Sequence, residues 1–347
     1  MSLDIVYVGT VGGTCEQRAR ALRSFGHRVR RIVADPPAAG PARLYYRIAA
    51  RLGYPPDSMA ANRAILSALR GAAPHILWID KGLAIRPATL RRVRELCPRT
   101  AIVAYSPDDM MNPHNQSAYY RRSIALYDVH VTTKSYNVQE LADLGARDVA
   151  FVDNAYDPET HLPLELDEPT RARFRADTSF IGGYERDRAE QMLHLARNGV
   201  EVRVWGYQWH RFPERDARLR VENRMLDGLD YARAINATRI NLAFLRKINR
   251  DLQTTRSIEI PACAAFMLAE RTDEHRRLFE EGREAEFFGS TEELLAKSRY
   301  YLEHEDERLR IAQAGYRRCI EGRYSNADRL AVVIDAVRRR HLAGGAT

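Results

Sequence analysis

The sequence predicts an α/β chain of two Rossmann-like, doubly wound parallel-sheet domains followed by a helical C-terminus. Three observations lead there. At 347 residues the chain exceeds the roughly 250–300 residues over which one core keeps growing, so two domains are expected. Short β-branched runs alternate with helical stretches in both halves, the signature of repeated βαβ units. Between them, from Asn154 to Ala176, the alternation stops at Asp157-Pro158, His161-Leu162-Pro163 and Pro169.

The predicted strands of the first half are Ile5 to Gly9, Val29 to Ala34, His75 to Ile79, Ala101 to Tyr105, Val129 to Thr132 and Val149 to Val152. Right-handed crossovers between such strands place ligands beyond their carboxyl ends. Residues 1–160 are therefore assigned to an N-terminal domain and 161–176 to a linker. The alternation resumes with Ser179 to Ile181, Glu201 to Trp205, Ile240 to Phe244 and Ala265 to Ala269, which sets a second domain at 177–325. Glu292 to Glu303, Glu307 to Cys319 and Asn326 to Arg340 carry apolar residues at three- and four-residue steps and read as helices. Ser325 and Asn326 are suited to cap the last one. Residues 326–347 form a C-terminal helix and tail, for which the N-terminal domain is a packing surface.

Composition narrows the function classes. Hydrophobic residues at 45% and charged residues at 29% describe a globular chain. The net charge of +8 suits phosphate-bearing ligands, nucleic acid or an anionic membrane. The arginines are scattered over nearly every helix rather than gathered in a stripe with aromatics, which argues against nucleic acid. Cys15, Cys97, Cys263 and Cys319 lie too far apart for a zinc motif and are too few for a disulfide scaffold, so they are expected to be reduced, mostly buried thiols. No apolar run approaches the roughly 18 residues of a membrane span. A cytoplasmic location is expected, with peripheral contact at the inner membrane face open.

The first strand runs into Gly9-Thr10-Val11-Gly12-Gly13-Thr14 and then a helix, so Gly12 and Gly13 are candidates to approach a phosphate or a donor sugar in a cleft. Asp35 ends the second strand, where a dinucleotide-binding protein carries its ribose-binding acid, which makes an NAD-dependent dehydrogenase one rival. The spacing departs from G-x-G-x-x-G and Pro36-Pro37 follows, so a tight strand-to-helix turn is the competing reading.

The most informative stretch runs from Asn241 to Ala269 as strand, polar loop, helix, strand. Its Arg256-Ser-Ile-Glu259-Ile-Pro-Ala-Cys263-Ala264 resembles the R-x-F-E-x-x-A-C-G motif of the glycosyltransferase group 1 superfamily, in particular its CgeB-like, spore-maturation-protein-like branch. The resemblance continues through Asp273 to Gly282, Phe287-Phe-Gly-Ser290 and Ala312 to Arg318, and in the N-terminal half at Trp78 to Gly82, Tyr105 to Asp109 and Asn137 to Leu141. It implies the GT-B fold, in which two Rossmann-like domains face a cleft, and a UDP- or GDP-sugar donor. It also implies that Glu259 takes the ribose hydroxyls, a task an ionised carboxylate performs by accepting two hydrogen bonds. The place of a second superfamily glutamate near the donor sugar holds Asp251. Ala264 stands where the superfamily has glycine, which matters only if that backbone is left-handed.

Arg246, Lys247, Arg250 and Arg256 surround this loop, and the helix start near Thr254 and Thr255 adds amides, a setting for a diphosphate on which charge builds as the glycosidic bond breaks, with a solvated basic face as the alternative for any single arginine. Gly182-Gly183-Tyr184 and Arg186-Asp-Arg188 resemble the superfamily's entry to its nucleotide lobe, with Gly183 and Arg188 as phosphate-side candidates. Trp205 is a candidate to stack on the base, or alternatively a packed strand-end tryptophan, and Gly206 lets the chain come close.

Asp108 and Asp109 follow the fourth strand, and one of them is the candidate base for the acceptor, with capping as the alternative. Asp80, Lys81 and His114 are weaker candidates by the same logic. No acid cluster completes a metal site, so no metal and no cofactor are expected, only the nucleotide-sugar as substrate. The acceptor is unidentified, with a glycan or a lipid-linked acceptor as options, and both retaining and inverting chemistry stay open. A sugar-nucleotide epimerase of the same fold and a non-catalytic nucleotide-sugar-binding protein are the alternatives to a hexosyltransferase-type enzyme.

Last, Arg43, Arg47 and Arg51 recur every fourth residue beside Leu44, Tyr45, Ile48, Ala49 and Leu52. Two readings compete: an amphipathic helix packed on the N-terminal sheet, and one lying in an anionic headgroup layer.

Overall fold

The computed structural model describes residues 2–71 and 73–342. The chain divides into two compact units, one running to Asp153 and rejoined by the helix that begins at Asn326, the other Asn154–Ser325. Residues 343–347 of the predicted tail lie outside the described residues.

The first unit holds β1 (Asp4–Gly9), β2 (Arg28–Val33), β3 (Ile76–Asp80), β4 (Ala101–Ser106), β5 (Val129–Thr132) and β6 (Val149–Phe151), all parallel, in the order β2-β1-β3-β4-β5-β6. Period-two alternation divides the apolar residues between two faces. Ile5, Tyr7, Ile76, Trp78, Val103 and Val129 pack toward the helices Gly13–Ser24 and Asn326–Val337. Val6, Val8, Leu77, Ile79, Ile102 and Ala104 pack toward Ala61–Ala68 and Pro87–Leu96. Burial on both faces is why these strands read as unbroken apolar runs. The C-terminal helix contributes Leu330, Val333, Ile334 and Val337 to the first core, each at most 2% exposed. Four such side chains represent on the order of 6–12 kcal/mol of gross burial, so the end of the chain is a structural part of the first unit.

The second unit holds β7 (Ala176–Ile181), β8 (Val202–Trp205), β9 (Leu219–Val221), β10 (Thr238–Ala243), β11 (Met267–Glu270) and β12 (Glu286–Phe288), parallel, in the order β12-β11-β10-β7-β8-β9. The order reverses between β7 and β10, and a crevice opens there beyond the carboxyl ends. Phe180, Val204, Leu242, Phe244 and Leu268 pack on one face with the helices Arg186–Arg197, Thr291–Glu303 and Glu305–Glu321. Ala243, Met267, Ala269 and Phe287 pack on the other with the helices Gly228–Asn236 and Arg256–Ala262.

Residues 161–176, read as a linker, are structured and belong with the second unit. They contain the helix Glu168–Phe174, capped by the Asp167 side chain, which accepts from the Thr170 amide at 2.9 Å. Pro169 occupies its first turn, where the missing N–H has no partner to lose, so a residue that signalled a break marks a start. The short strands β9 and β12 were not anticipated: three residues with charged neighbours carry too little period-two signal.

The helix Gly40–Arg51 forms, but none of its residues is buried. Leu44, Tyr45, Ile48 and Leu52 are 55–71% exposed, which overturns the reading of an apolar stripe packed on the sheet. No helix among the described residues is long and apolar enough to cross a membrane.

Candidate functional site

Beyond the carboxyl ends of β7, β8 and β10, at the switch point of the second sheet, lies a cleft of about 560 Å³. Its floor is backbone. Gly206 has φ 151°, and a Cβ there would fall 1.9 Å from the Gly182 carbonyl oxygen, so only glycine lets the two strand ends meet. A Cβ on Gly183 would stand 2.8 Å from the Tyr207 ring, which covers that glycine. Trp209 Nε1 donates to the Gly182 carbonyl at 2.8 Å and fixes the floor from below.

Three arginines reach this cleft, Arg188, Arg246 and Arg256, against Glu185 as the one acidic residue in its lining. Arg188 is 4% exposed, with Nη2 2.6 Å from Glu185 Oε1, while Arg246 Nε reaches the same oxygen at 3.4 Å. Arg188 Nη2 is thus paired with Glu185, while its Nε is buried without a hydrogen-bond partner. Arg256 Nε is likewise buried without one. Both guanidiniums stand over the Phe180 ring, at 5.3 and 5.4 Å from its centroid. Burial holds the Arg188 pKa below its ordinary value, Glu185 opposes this, and the neighbouring Arg256 and Arg246 add to it. Buried donors that lack acceptors, in a patch of net positive charge, are what an anion would complete.

Glu259 lies on the helix Arg256–Ala262 and is 6% exposed. Tyr231, which lines the cleft, donates to Glu259 Oε2 at 2.6 Å. His161 Nε2 stands 3.7 Å from Oε1. Because His161 Nδ1 accepts from the Asp157 amide at 3.0 Å, the neutral ring carries its proton on Nε2, facing Glu259. The helix start is held by a chain of bonds: the Thr254 amide donates to Ser257 Oγ at 3.0 Å, and Ser257 Oγ lies 2.7 Å from His275 Nε2. His275 Nδ1 faces the Glu270 carbonyl at 2.6 Å, so it is the protonated nitrogen and Ser257 donates to Nε2. Burial lowers the His275 pKa to about 4, keeping the ring neutral. The Thr254 amide, expected to face a phosphate, is thus occupied by Ser257, while Thr255 precedes the helix with no side-chain cap bond.

The remaining candidates of this unit take other places. Trp205 is fully buried in a core with Phe174 and Leu226, its ring under Arg203 at 4.6 Å, so it cannot stack on a base; Tyr207, 49% exposed, is the aromatic that faces the cleft. Lys247 is ion-paired with Glu270, outside the cleft lining. Asp251 is buried and accepts from Asn249 Nδ2 at 2.7 Å. Arg250 has φ 47° and closes the turn Lys247–Asn249, whose Ile248 lines the cleft.

In the first unit, Gly12 and Gly13 have φ 72° and 54° with open space around them, so both are required by the backbone of the turn. Asp35 Oδ2 accepts from the Val11 amide at 3.1 Å and holds this loop, a structural use of the acid that suggested a dehydrogenase. Asp109 is fully buried and accepts from Asn137 Nδ2 at 2.9 Å and the Met111 amide at 3.0 Å, the capping alternative. Asp108 keeps a side chain 20% exposed and pairs with Lys81. Asp80 is buried against Arg18 at 2.8 Å with Tyr7 Oη at 2.5 Å, a core pair rather than an accessible acid. His114 lies in an exposed turn, where its amide donates to Asn112 Oδ1. All four cysteines are free and buried. Among the described residues no group of three His, Cys, Asp or Glu is placed to hold a metal ion.

Sequence reasoning missed Tyr207, Tyr231, His161 and Glu185. His161 sat in the stretch read as linker, and Glu185 was passed over between the named Tyr184 and Arg186. Tyr231 offers no local signal, because its partner Glu259 is 28 residues away.

Residues 186–335 match the family model described as glycosyl transferase-like. A search of curated protein sequences finds no significant match. Among solved structures the chain is similar to the sucrose-phosphate synthase of Thermosynechococcus elongatus, with a TM-score of 0.68 at 10% identity over 99% of this chain and 100% of that one. It is similar to Anabaena HepE in complex with UDP and glucose, with a TM-score of 0.65 at 11% identity over 97% and 100%. A putative UDP-N-acetylglucosamine 2-epimerase from Listeria monocytogenes also matches, with a TM-score of 0.56 at 11% identity over 97% and 96%. At such identities the likeness is one of fold: the chain has the GT-B fold of glycosyltransferases, and its residues 186–335 match the glycosyl transferase-like family.

Proposed function

We propose that the chain is a hexosyltransferase-type glycosyltransferase whose second unit holds a UDP-sugar, with the diphosphate on Arg188, Arg246 and Arg256. The observation that carries this is the charge of the cleft: three guanidiniums, two of them with a buried Nε that has no hydrogen-bond partner, against Glu185 alone. A diphosphate supplies the missing acceptors and neutralises the excess. The choice of UDP over GDP draws support from the HepE complex. Glu259 accepts from the ribose hydroxyls at Oε1, beside Tyr231 and His161, and Tyr207 covers the glycine floor. The motif Arg256 to Ala264 favours the CgeB-like branch.

In the reaction the acceptor hydroxyl forms a bond to the anomeric carbon while the bond to the diphosphate oxygen breaks. The negative charge that builds on the leaving group is met by fixed cations, so no metal is required. Asp108, the accessible carboxylate of its pair, is the proposed base in an inverting course. The cytoplasmic location and an acceptor of glycan or lipid-linked type belong to this same proposal.

The test is UDP binding by calorimetry with the wild type and Glu259→Ala, alongside turnover of labelled UDP-sugar with and without chelator. Weaker binding in a folded variant and chelator-resistant turnover are expected. Unchanged UDP affinity in Glu259→Ala would falsify the ribose assignment. The Listeria match keeps an epimerase as second reading; conversion of labelled UDP-sugar to its epimer without acceptor would select it.

A further inference from the structure

The helix Gly40–Arg51 is unusual in this fold. Every other helix of eight residues or more buries part of one face, whereas this one, with 12 residues, buries none. It rests on the first unit through the half-buried Tyr46, Ala49 and Ala50. The outward surface is itself divided. Leu44, Ile48 and Leu52, at four-residue steps, form an apolar ridge 58%, 55% and 71% exposed, joined by Tyr45 at 65%. One residue earlier in each turn stand Arg43, Arg47 and Arg51. The helix contains no acidic residue, and neither Arg47 nor Arg51 has an ion-pair partner among the described residues.

The charge continues past the helix end. The Ala118 amide donates to the Gly53 carbonyl at 2.7 Å, and Tyr54 packs edge-on against Tyr119 at 5.4 Å. Arg122 Nη2 donates to Tyr54 Oη at 3.2 Å, which brings the exposed Arg121 and Arg122 beside the same face. Tyr45 and Tyr54 thereby join the apolar ridge to its cationic margin.

We propose that this face docks on an anionic lipid surface, with Leu44, Ile48 and Leu52 inserted at the headgroup boundary and Arg43, Arg47, Arg51 and Arg122 on lipid phosphates. Two features select lipid. An apolar ridge with a one-sided cationic border matches a layer that is apolar below and negative above, and tyrosines suit the boundary between them. A second copy of this chain, itself at +8, would bring the same arginines toward each other, which like-charge repulsion disfavours. The inference stands on the first unit alone and does not depend on the donor site.

The test is co-sedimentation of the full chain with vesicles of phosphatidylglycerol and phosphatidylcholine, against pure phosphatidylcholine, at 10 and 150 mM salt. The variants are Arg43→Gln/Arg47→Gln/Arg51→Gln and Leu44→Ser/Ile48→Ser/Leu52→Ser. None of the six side chains is buried, and of the three arginines only the half-buried Arg43 bonds to another of the described residues, Nη1 donating to the Pro37 carbonyl at 3.2 Å, so both variants should melt within about 1–2 °C of the wild type. Binding to anionic vesicles that salt weakens is expected, with the arginine variant binding roughly 100-fold less well, as about 1 kcal/mol for each basic residue requires. The leucine-isoleucine variant should release at 150 mM salt, where screening leaves the arginines insufficient alone. Absence of binding at 10 mM salt, or binding that survives both variants, overturns the proposal. So does a dimer in solution that the serine variant dissociates without any vesicle binding, which would assign the face to a second copy. UDP affinity, measured in parallel, reports on the donor site independently of either result.

Discussion

Replacing Arg188 by Met separates what the arginine does for the fold from what it does for the donor. Methionine keeps an unbranched apolar stem against Phe180 and removes the guanidinium. In the free protein that guanidinium is 4% exposed, has a buried Nε without a hydrogen-bond partner, and has its pKa lowered chiefly by burial. Its removal deletes the 2.6 Å ion pair with Glu185, but Glu185 retains Arg246 at 3.4 Å. Loss and relief are of similar size, so stability should change by no more than about 1 kcal/mol, or roughly 2–4 °C in Tm for a unit of this size. The effect on the donor should be much larger. Hydrogen bonds to charged groups contribute about 1.5–3 kcal/mol, so UDP should bind about 10- to 150-fold more weakly. Titration calorimetry and thermal melts of the same preparation measure both. UDP affinity within twofold of wild type would remove Arg188 from the donor site. A loss of stability above about 3 kcal/mol would show instead that the arginine is a structural cation.

Three further outcomes follow from particular contacts. Asp108→Asn should lower turnover by at least 100-fold with an unchanged melting temperature, while Asp109→Asn, buried against Asn137 and the Met111 amide, should destabilise the chain by about 1–3 kcal/mol; the reverse pattern would exchange their roles. Ala264 has φ 53°, so Ala264→Gly should stabilise the protein by about 1 kcal/mol, read as a higher denaturant midpoint at unchanged slope. His130 and His275, both buried and neutral with pKa lowered from 6.5 to about 4, bind no proton in the native state over a range where the unfolded chain does. Stability should therefore fall as pH drops from 6.5 to 4, by up to about 3 kcal/mol for each ring, and His275→Gln should flatten its share of that slope in urea melts taken at each pH.

Much of the fold was legible in the sequence because the strands are buried on both faces. Ile76 to Asp80 and Ala101 to Ser106 are apolar at nearly every position, a signal that survives without knowing which residue points where. Leu219 to Val221 and Glu286 to Phe288 lie at the two edges of their sheet, are three residues long, and carry no such run. That Gly183, Gly206, Arg188, Arg246 and Arg256 share a cleft was legible because close backbone approach and clustered charge each call for a residue type. Burial was not. Nothing local to Trp205-Gly206-Tyr207 says which aromatic turns into the core, because β8 ends there and the next residues depart from strand alternation around a glycine at φ 151°. Pairings across distance, Tyr231 with Glu259 and Asp109 with Asn137, are tertiary facts that spacing does not encode.

The rules that the cleft breaks converge on one region. Gly206 and Gln208 have positive φ on its wall, and Arg250, at φ 47°, ends the turn that supplies Ile248. Arg188 is a buried cation without full hydrogen bonding, and Thr254 Oγ1 is buried without a partner at the mouth of the glutamate helix. Each left-handed non-glycine residue costs roughly 1 kcal/mol, and each unsatisfied buried polar group about 1–3 kcal/mol. At the β12 edge of the same unit, by contrast, Arg271 meets Glu281 and Glu293, and Lys297 meets Glu286. Around Glu185, three cations face one acid. This positive excess sits at the topological switch point, where parallel sheets of this kind bind ligands, and its sign is the one that suits an anion.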